Sequence, residues 1–116
     1  MKRRIIYYRL PSGKDLIAEF LEKLENGAKN KVAWTLKLIQ DNPVVPTTYF
    51  KKLKNTKGIW EVRVQYGGNI YRILGFYYKL SFIVLNHAST KKTDKTPQKE
   101  IKTAQTRRED FYEQIR

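Results

Sequence analysis

The sequence predicts a small α+β domain, in which two N-terminal helices and a C-terminal helix pack on a small antiparallel sheet. Apolar residues recur at helical spacing in two segments near the start of the chain and in one at its end. Between them, segments rich in β-branched and aromatic residues alternate with glycine-containing turns, which is typical of antiparallel strands. A length of 116 residues fits a single domain, residues 1–116. We expect the helices on one face of the sheet and a ligand at the other face or at an edge.

The N-terminal part of the chain is predicted to form a strand followed by two helices. Residues 5–10 form the strand, and Ser12 with Asp15 has the spacing of a capping box that starts the first helix. Asn26-Gly27 is expected to end that helix, and a second helix covers residues 28–40. Both helices are nearly neutral, which indicates packing elements rather than a binding site.

Four strand segments and a final helix follow. The strands are residues 49–53, 59–66, 70–77 and 80–86, of which the first is short and the last is continuously apolar. Thr96-Pro97 combines an N-cap residue with a first-turn proline, which predicts the start of the last helix.

Positive charge is concentrated in parts of the chain. The net charge is +13, yet residues 15–46 carry four basic and five acidic side chains. Residues 47–79 carry seven basic side chains against one acid, Glu61. An uneven excess of this kind favours a binding face for a polyanion, and a phosphate backbone is the expected ligand.

The composition excludes several kinds of site. The chain has no cysteine, which rules out disulfides and cysteine-held metals, and one histidine is too few for a usual zinc or iron site. The sequence shows no signal-peptide pattern and no run near the about 18 apolar residues of a membrane span. We therefore expect a cytoplasmic protein that uses no metal and no other cofactor and does not enter a membrane.

Several motifs resemble those of a known family and follow its order from residue 50 to residue 112, over more than half of the chain. The family is the RelE/ParE superfamily of toxins from type II toxin–antitoxin pairs, and the resemblance is to its HigB-like branch. The resembling segments are Phe50-Lys51-Lys52-Leu53, Gly58-Ile59-Trp60-Glu61-Val62-Arg63, Tyr71-Arg72-Ile73-Leu74, Ile83-Val84-Leu85-Asn86-His87-Ala88 and Lys91-Lys92-Thr93-Asp94-Lys95-Thr96-Pro97, with Glu100, Ile101, Ala104, Arg107 and Tyr112 in the last helix.

The resemblance implies a RelE-like fold and a ribosome-dependent mRNA endonuclease, or mRNA interferase, that blocks translation. In such toxins the RNA 2′-hydroxyl attacks the adjacent phosphate without a metal and leaves a 2′,3′-cyclic phosphate. The implied partners are mRNA, the ribosome with its rRNA, and a small HigA-like antitoxin. Operator DNA would be bound only through that antitoxin.

The reaction needs a base for the 2′-hydroxyl, cations for the phosphate and an acid for the leaving oxygen. Arginine suits the phosphate, because its planar fork matches the phosphate oxygens. Crowded lysines have a lowered pKa, and histidine titrates near neutrality, so either can transfer a proton. A glutamate on the same face can act as base or orient an arginine. The candidate catalytic residues are Arg63, Arg72, His87, Lys91, Lys92 and Glu61.

Other basic and aromatic side chains are candidates for binding. Trp60 and Tyr71 are predicted to lie in the core, with base stacking as the alternative. Tyr49, Tyr77 and Tyr78 are expected on exposed strands, where an antitoxin can cover them. The candidate RNA-binding lysines, expected to hold rRNA backbone, are Lys51, Lys52, Lys54, Lys57 and Lys95.

Structural roles and other functions remain open for this sequence. Glu61 with Arg63 is also compatible with an exposed cross-strand ion pair, and a buried Arg72 would require a partner. Some relatives have a catalytic tyrosine where this chain has Pro97-Gln98. The alternative functions are a ParE-like inhibitor of DNA gyrase that cuts no RNA, and a non-catalytic RNA-binding module.

Overall fold

A computed structural model describes residues 2–91 and 95–116 of the chain. It confirms the α+β class and the predicted order of helices and strands. No helix in the described ranges is long and apolar enough to cross a membrane. The elements are β1 (Arg4–Tyr7), α1 (Leu16–Glu22), α2 (Asn26–Asp41), β2 (Phe50–Lys52), β3 (Trp60–Tyr66), β4 (Asn69–Tyr78), β5 (Phe82–Lys91) and α3 (Gln98–Gln114).

The five strands form one sheet in the order β1-β5-β4-β3-β2. Strands β2 to β5 make the predicted antiparallel meander. Strand β1 extends it by pairing parallel to β5, with Ile5 opposite Ile83. The chain order permits this arrangement, because a parallel neighbour needs a long crossover connection and the segment containing α1 and α2 lies between β1 and the meander. The sheet is therefore mixed rather than purely antiparallel.

Helices cover both faces of the sheet. Helices α1 and α2 pack on the face that carries Val62, Val64 and Ile73 and form the main core there. Helix α3 packs on the opposite face, where Ile101 and Ala104 meet apolar residues of the sheet. The prediction that all helices share one face was wrong, because the apolar stripe of α3 also needs an apolar surface to cover. The second face of the sheet is thus partly occupied by the chain itself.

Three helix starts differ from the sequence expectation. At α3 the N-cap residue is Pro97 and not Thr96, and no side chain of the described residues caps the helix. Asp15 is the N-cap residue of α1, and its carboxylate accepts a hydrogen bond of 2.9 Å from the backbone N–H of Ala18, so Ser12 does not start the helix. Asn26-Gly27 opens α2 instead of ending α1. Glycine fits there because a Cβ at Gly27 would collide with the Tyr66 side chain.

A β-bulge between β4 and β5 separates the apolar half of β5 from its polar half. Leu74 is opposite His87 but Gly75 is opposite Leu85, which leaves Asn86 as the extra residue. Glycine is needed at position 75, because a Cβ there would collide with the backbone carbonyl of Val84. A bulge directs successive side chains to the same side. Asn86 and His87 accordingly both contact α3 residues.

Candidate functional site between the sheet and α3

The candidate arginines lie side by side on the sheet face that α3 partly covers. Arg63 of β3 is directly opposite Arg72 of β4, and Arg72 is opposite Ser89 of β5. His87 and Lys91 lie two residues before and after Ser89, on the same face. Glu61 lies two residues before Arg63, so the meander places five of the six candidate catalytic side chains around one row that crosses three strands.

Arg72 and Glu61 form an ion pair inside the protein. Their side chains are 0% and 1% exposed, and Arg72 Nε lies 3.5 Å from Glu61 Oε2. The hydroxyl of Thr96, just before α3, donates a hydrogen bond to the same carboxylate oxygen. Glu61 thus pairs with Arg72 beneath the start of α3. Arg63 is half-buried, which leaves it closer to solvent than Arg72.

A second polar cluster joins the end of β5 to α3. His87 Nε2 lies 3.0 Å from Glu100 Oε1, and Arg107 donates to His87 Nδ1 at 3.4 Å. A neutral imidazole with its proton on Nε2 satisfies both contacts. Lys91 Nζ lies 3.6 Å from the other Glu100 oxygen. Arg107 also donates to the backbone carbonyl of Asn86 at 2.8 Å, which fastens α3 to the bulge.

The surroundings of His87 and Glu100 shift both pKa values downward. Burial is the main cause that lowers the pKa of His87 below 6.5. Glu100 raises this pKa, but not enough to offset burial together with the smaller lowering effects of Arg107 and Lys91. Burial by itself would raise the pKa of Glu100, but contacts with Ser89, His87 and Lys91 outweigh it, so the net shift is downward. At neutral pH the pair is therefore a neutral histidine beside an ionised carboxylate.

These shifts predict a loss of stability in mild acid. The unfolded chain binds a proton on His87 at a higher pH than the folded chain does, so the free energy of unfolding falls as the pH drops below 6.5. Urea unfolding at a series of pH values between about 7 and 5.5 measures this slope. A His87→Gln variant should have a flatter profile in that window. An equal slope in the variant would mean that His87 does not cause the pH dependence; Glu100 acts in the same direction only at more acidic pH.

The candidate RNA-binding lysines lie on the surface, and they are not gathered at one point. Lys51 and Lys52 are neighbours on β2 and so point to opposite faces. The backbone N–H of Lys57 donates to Gln105 of α3 at 3.1 Å. Lys92 lies outside the described residues. All five candidate RNA-binding lysines are exposed: Lys51, Lys52, Lys54, Lys57 and Lys95.

Of the five aromatic candidates, three are more buried than the sequence suggested. Trp60 and Tyr71 belong to the main core, as predicted. Tyr49, Tyr77 and Tyr78 are half-buried rather than exposed, since each packs against other aromatic rings. The expectation that these three tyrosines present an open strand surface was therefore wrong.

The α3 side chains that contact the candidate residues were not among the predicted site residues. Glu100 is 13 residues from His87 and Arg107 is 20 residues from it, so no short motif links them. The one available signal was the presence of an acid and a base on the polar part of an amphipathic helix. Within residues 2–91 and 95–116, no group of His, Asp or Glu side chains is arranged to hold a metal ion.

The fold is RelE-like: one chain of the crystal structure of the archaeal RelE–RelB complex from Pyrococcus horikoshii OT3 superposes with a TM-score of 0.51. The two chains are 14% identical, and the match covers 77% of this chain and 94% of that one. The chain belongs to the family described as Phage derived protein Gp49-like (DUF891), whose profile matches residues 19–109. No curated protein sequence matches it significantly.

Proposed function

We propose that this chain is the toxin of a type II toxin–antitoxin pair, of the HigB-like kind, and that it cuts mRNA on the ribosome. The RelE-like fold and the Gp49-like family support the toxin class. The observation that carries the cleavage proposal is the row of Arg63, Arg72 and Ser89 across the sheet, with His87 and Lys91 beside it. This row brings a cation and proton-transfer groups to one face.

The roles follow from the reaction. Attack of the 2′-hydroxyl on the adjacent phosphate needs a base, and His87 is neutral at physiological pH and so able to accept a proton. Arg63 is suited to bind the phosphate oxygens, because it is half-buried at the rim of the face and its fork can donate two hydrogen bonds. Lys91 is the acid for the leaving 5′-oxygen.

The remaining candidates have supporting roles in this proposal. Arg72 and Glu61 act as a positioning pair, because both are buried and hold β3 and β4 together beneath the start of α3. Glu100 accepts a hydrogen bond from Nε2 of His87 and so fixes its tautomer, and Arg107 contacts Nδ1. The exposed lysines bind rRNA and mRNA backbone and fix the position of the protein on the ribosome without reading sequence.

A protein partner is part of the proposal. The similar archaeal chain was crystallised as a RelE–RelB complex, which supports an antitoxin for this chain as well. We propose a small HigA-like antitoxin that neutralises the toxin in the cytoplasm and through which operator DNA is bound. The RNA reaction uses no metal, because the attacking hydroxyl belongs to the substrate and cationic side chains replace a metal at the phosphate.

Primer extension on a defined mRNA, with and without translating ribosomes, tests the proposed reaction. We expect cuts inside codons only when ribosomes are present, and a 2′,3′-cyclic phosphate on the upstream fragment. An mRNA with a 2′-deoxynucleotide at the cut position is the matched control and should stay intact. If all mRNA stays intact while the cells are still poisoned, cleavage is refuted, and a gyrase supercoiling assay then tests the ParE-like alternative.

A further inference from the structure

One side of helix α2 carries basic and aromatic residues and faces the part of β3 that β2 leaves unpaired. Gly27, Lys31 and Trp34 are spaced four and three residues apart, so they lie on one side of the helix. Gly27 is packed against the Tyr66 side chain, and Lys31 Nζ donates to the backbone carbonyl of Gln65 at 3.1 Å. This side of α2 therefore faces the end of the sheet and not the main core, although the sequence suggested that α2 only packs.

An open cavity of about 750 Å³ lies at this edge. It exists because β2 is only three residues long and its pairing with β3 ends with Phe50 opposite Val62. The carbonyl of Tyr49 still accepts a hydrogen bond of 2.9 Å from the backbone N–H of Arg63, and the chain before Tyr49 forms a turn. The volume falls in the range of about 300–1,000 Å³ that is usual for ligand pockets. The lining residues of this cavity, called the edge cavity below, are Lys31, Thr47, Thr48, Tyr49, Lys51, Arg63 and Gln65.

The lining has the chemistry of a site for an anion. Lys31, Lys51 and Arg63 contribute three cations from three different elements, and the described lining includes no acidic side chain. The hydroxyls of Thr47 and Thr48 are also exposed and can donate hydrogen bonds to an anionic ligand. Lysines that line one cavity repel each other, and a bound polyanion relieves that repulsion.

An aromatic pair adds a stacking surface beside these cations. Trp34 is 51% exposed, which is unusual for so large an apolar side chain. Its ring meets the ring of Tyr49 edge to face, with centroids 5.5 Å apart and planes at 75°. Tyr49 lines the cavity, so the exposed Trp34 ring stands beside it at the cavity rim. Cations next to exposed aromatic rings are the combination by which proteins bind single-stranded nucleic acid.

We propose that the edge cavity binds one nucleotide of a single-stranded RNA, with its base stacked on the exposed ring of Trp34 and its phosphates held by Lys31 and Lys51. The proposal rests on the proposed function only in taking RNA as the ligand. Arg63 lines the edge cavity and also stands in the row beneath α3. An RNA strand that fills the cavity is thereby led past Arg63 to the proposed site of cleavage. An acidic peptide would use the cations but would leave the exposed indole without a stacking partner.

Binding of a short single-stranded 2′-O-methyl RNA to the purified chain tests this proposal, because such an RNA cannot be cut. Fluorescence anisotropy of a label on the RNA measures affinity, and tryptophan emission reports on Trp34. The second tryptophan, Trp60, stacks on Phe50 within the core with centroids 4.7 Å apart and should report little. The variants are Trp34→Ala, Trp34→Phe, Lys31→Gln and Lys51→Gln. The matched control is Lys23→Gln, which removes an equal charge from an exposed position at the end of α1.

We expect RNA to quench the tryptophan emission of the wild type. The same RNA should quench the emission of Trp34→Phe much less. Trp34→Ala should weaken binding at least about fivefold, which is the lower bound for loss of one stacked base. Lys31→Gln and Lys51→Gln should each reduce the slope of log affinity against log salt by about 0.7, and Lys23→Gln should not.

Other results would overturn the proposal. Unchanged affinity in Trp34→Ala, or equal losses in Lys31→Gln and Lys23→Gln, would show that the edge cavity is not an RNA site. A free mononucleotide or an acidic peptide that quenches Trp34 as strongly as RNA would remove RNA as its specific ligand. These outcomes are distinguishable from a failure of the proposed function. RNA binding without mRNA cleavage would support the edge cavity as an RNA site and refute the endonuclease. Cleavage at an unchanged rate in Trp34→Ala would support the endonuclease and refute the edge cavity as an RNA site.

Discussion

Arg72→Met is expected to lower the free energy of unfolding by about 3–5 kcal/mol, because it leaves the buried Glu61 carboxylate without the guanidinium that pairs with it. Methionine fills most of the volume, so the loss should come mainly from the uncompensated charge and not from a cavity. Urea unfolding followed by circular dichroism at neutral pH measures the effect. This is the largest stability effect that we expect from one side chain on the α3 face.

The double variant Glu61→Gln/Arg72→Met is the control for that prediction. Removing both charges should restore part of the lost stability, because the Glu61 carboxylate is then no longer a buried charge without its guanidinium partner. A loss below about 1 kcal/mol in the single variant, the range of an exposed pair, would contradict a buried pair. The result also affects activity measurements, since an Arg72 variant can lose activity simply by unfolding.

Arg63→Gln should instead reduce mRNA cleavage about 10²- to 10³-fold, which is the usual effect of removing one donor to the charge that develops in a transition state. Arg63 is half-buried at the rim, so the change in stability should stay within about 1 kcal/mol. Single-turnover cleavage on mRNA-programmed ribosomes measures the rate, and urea unfolding checks the fold. The two arginines are adjacent on the sheet, yet Arg72 is expected to support stability and Arg63 to support cleavage.

Arg4→Gln is the matched control for Arg63→Gln. Arg4 lies on β1 at the far edge of the sheet and is exposed, so the variant loses the same charge away from the site. Its cleavage rate should remain within about twofold of the wild type, because loss of one remote surface charge is screened by salt. Equal losses in both variants would mean that net charge, and not a phosphate contact of Arg63, governs the rate.

Much of the fold could be predicted from local patterns. Alternation and glycine turns located the hairpin that places Arg63 opposite Arg72, since register in an antiparallel pair follows from the turn and the side-chain period. The parallel addition of β1 was not predictable, because it depends on a contact between residues about 80 positions apart in the chain, such as Arg4 and Phe82. The placement of α3 on the second face was missed for a similar reason: amphipathicity shows that a helix is buried on one side but not which surface buries it.

For the candidate site, the sequence by itself determined which charged side chains share a face of the meander and that their excess is positive, because strand periodicity and composition are local properties. Only the tertiary structure decided which of those charges are paired. The docking of α3 places Glu100 on His87, and the start of that helix covers Glu61 with Arg72. The approach of α2 to the edge of β3 likewise creates the edge cavity. Burial and ion pairing depend on distances between elements that are remote in the chain, and no spacing within one segment specifies those distances.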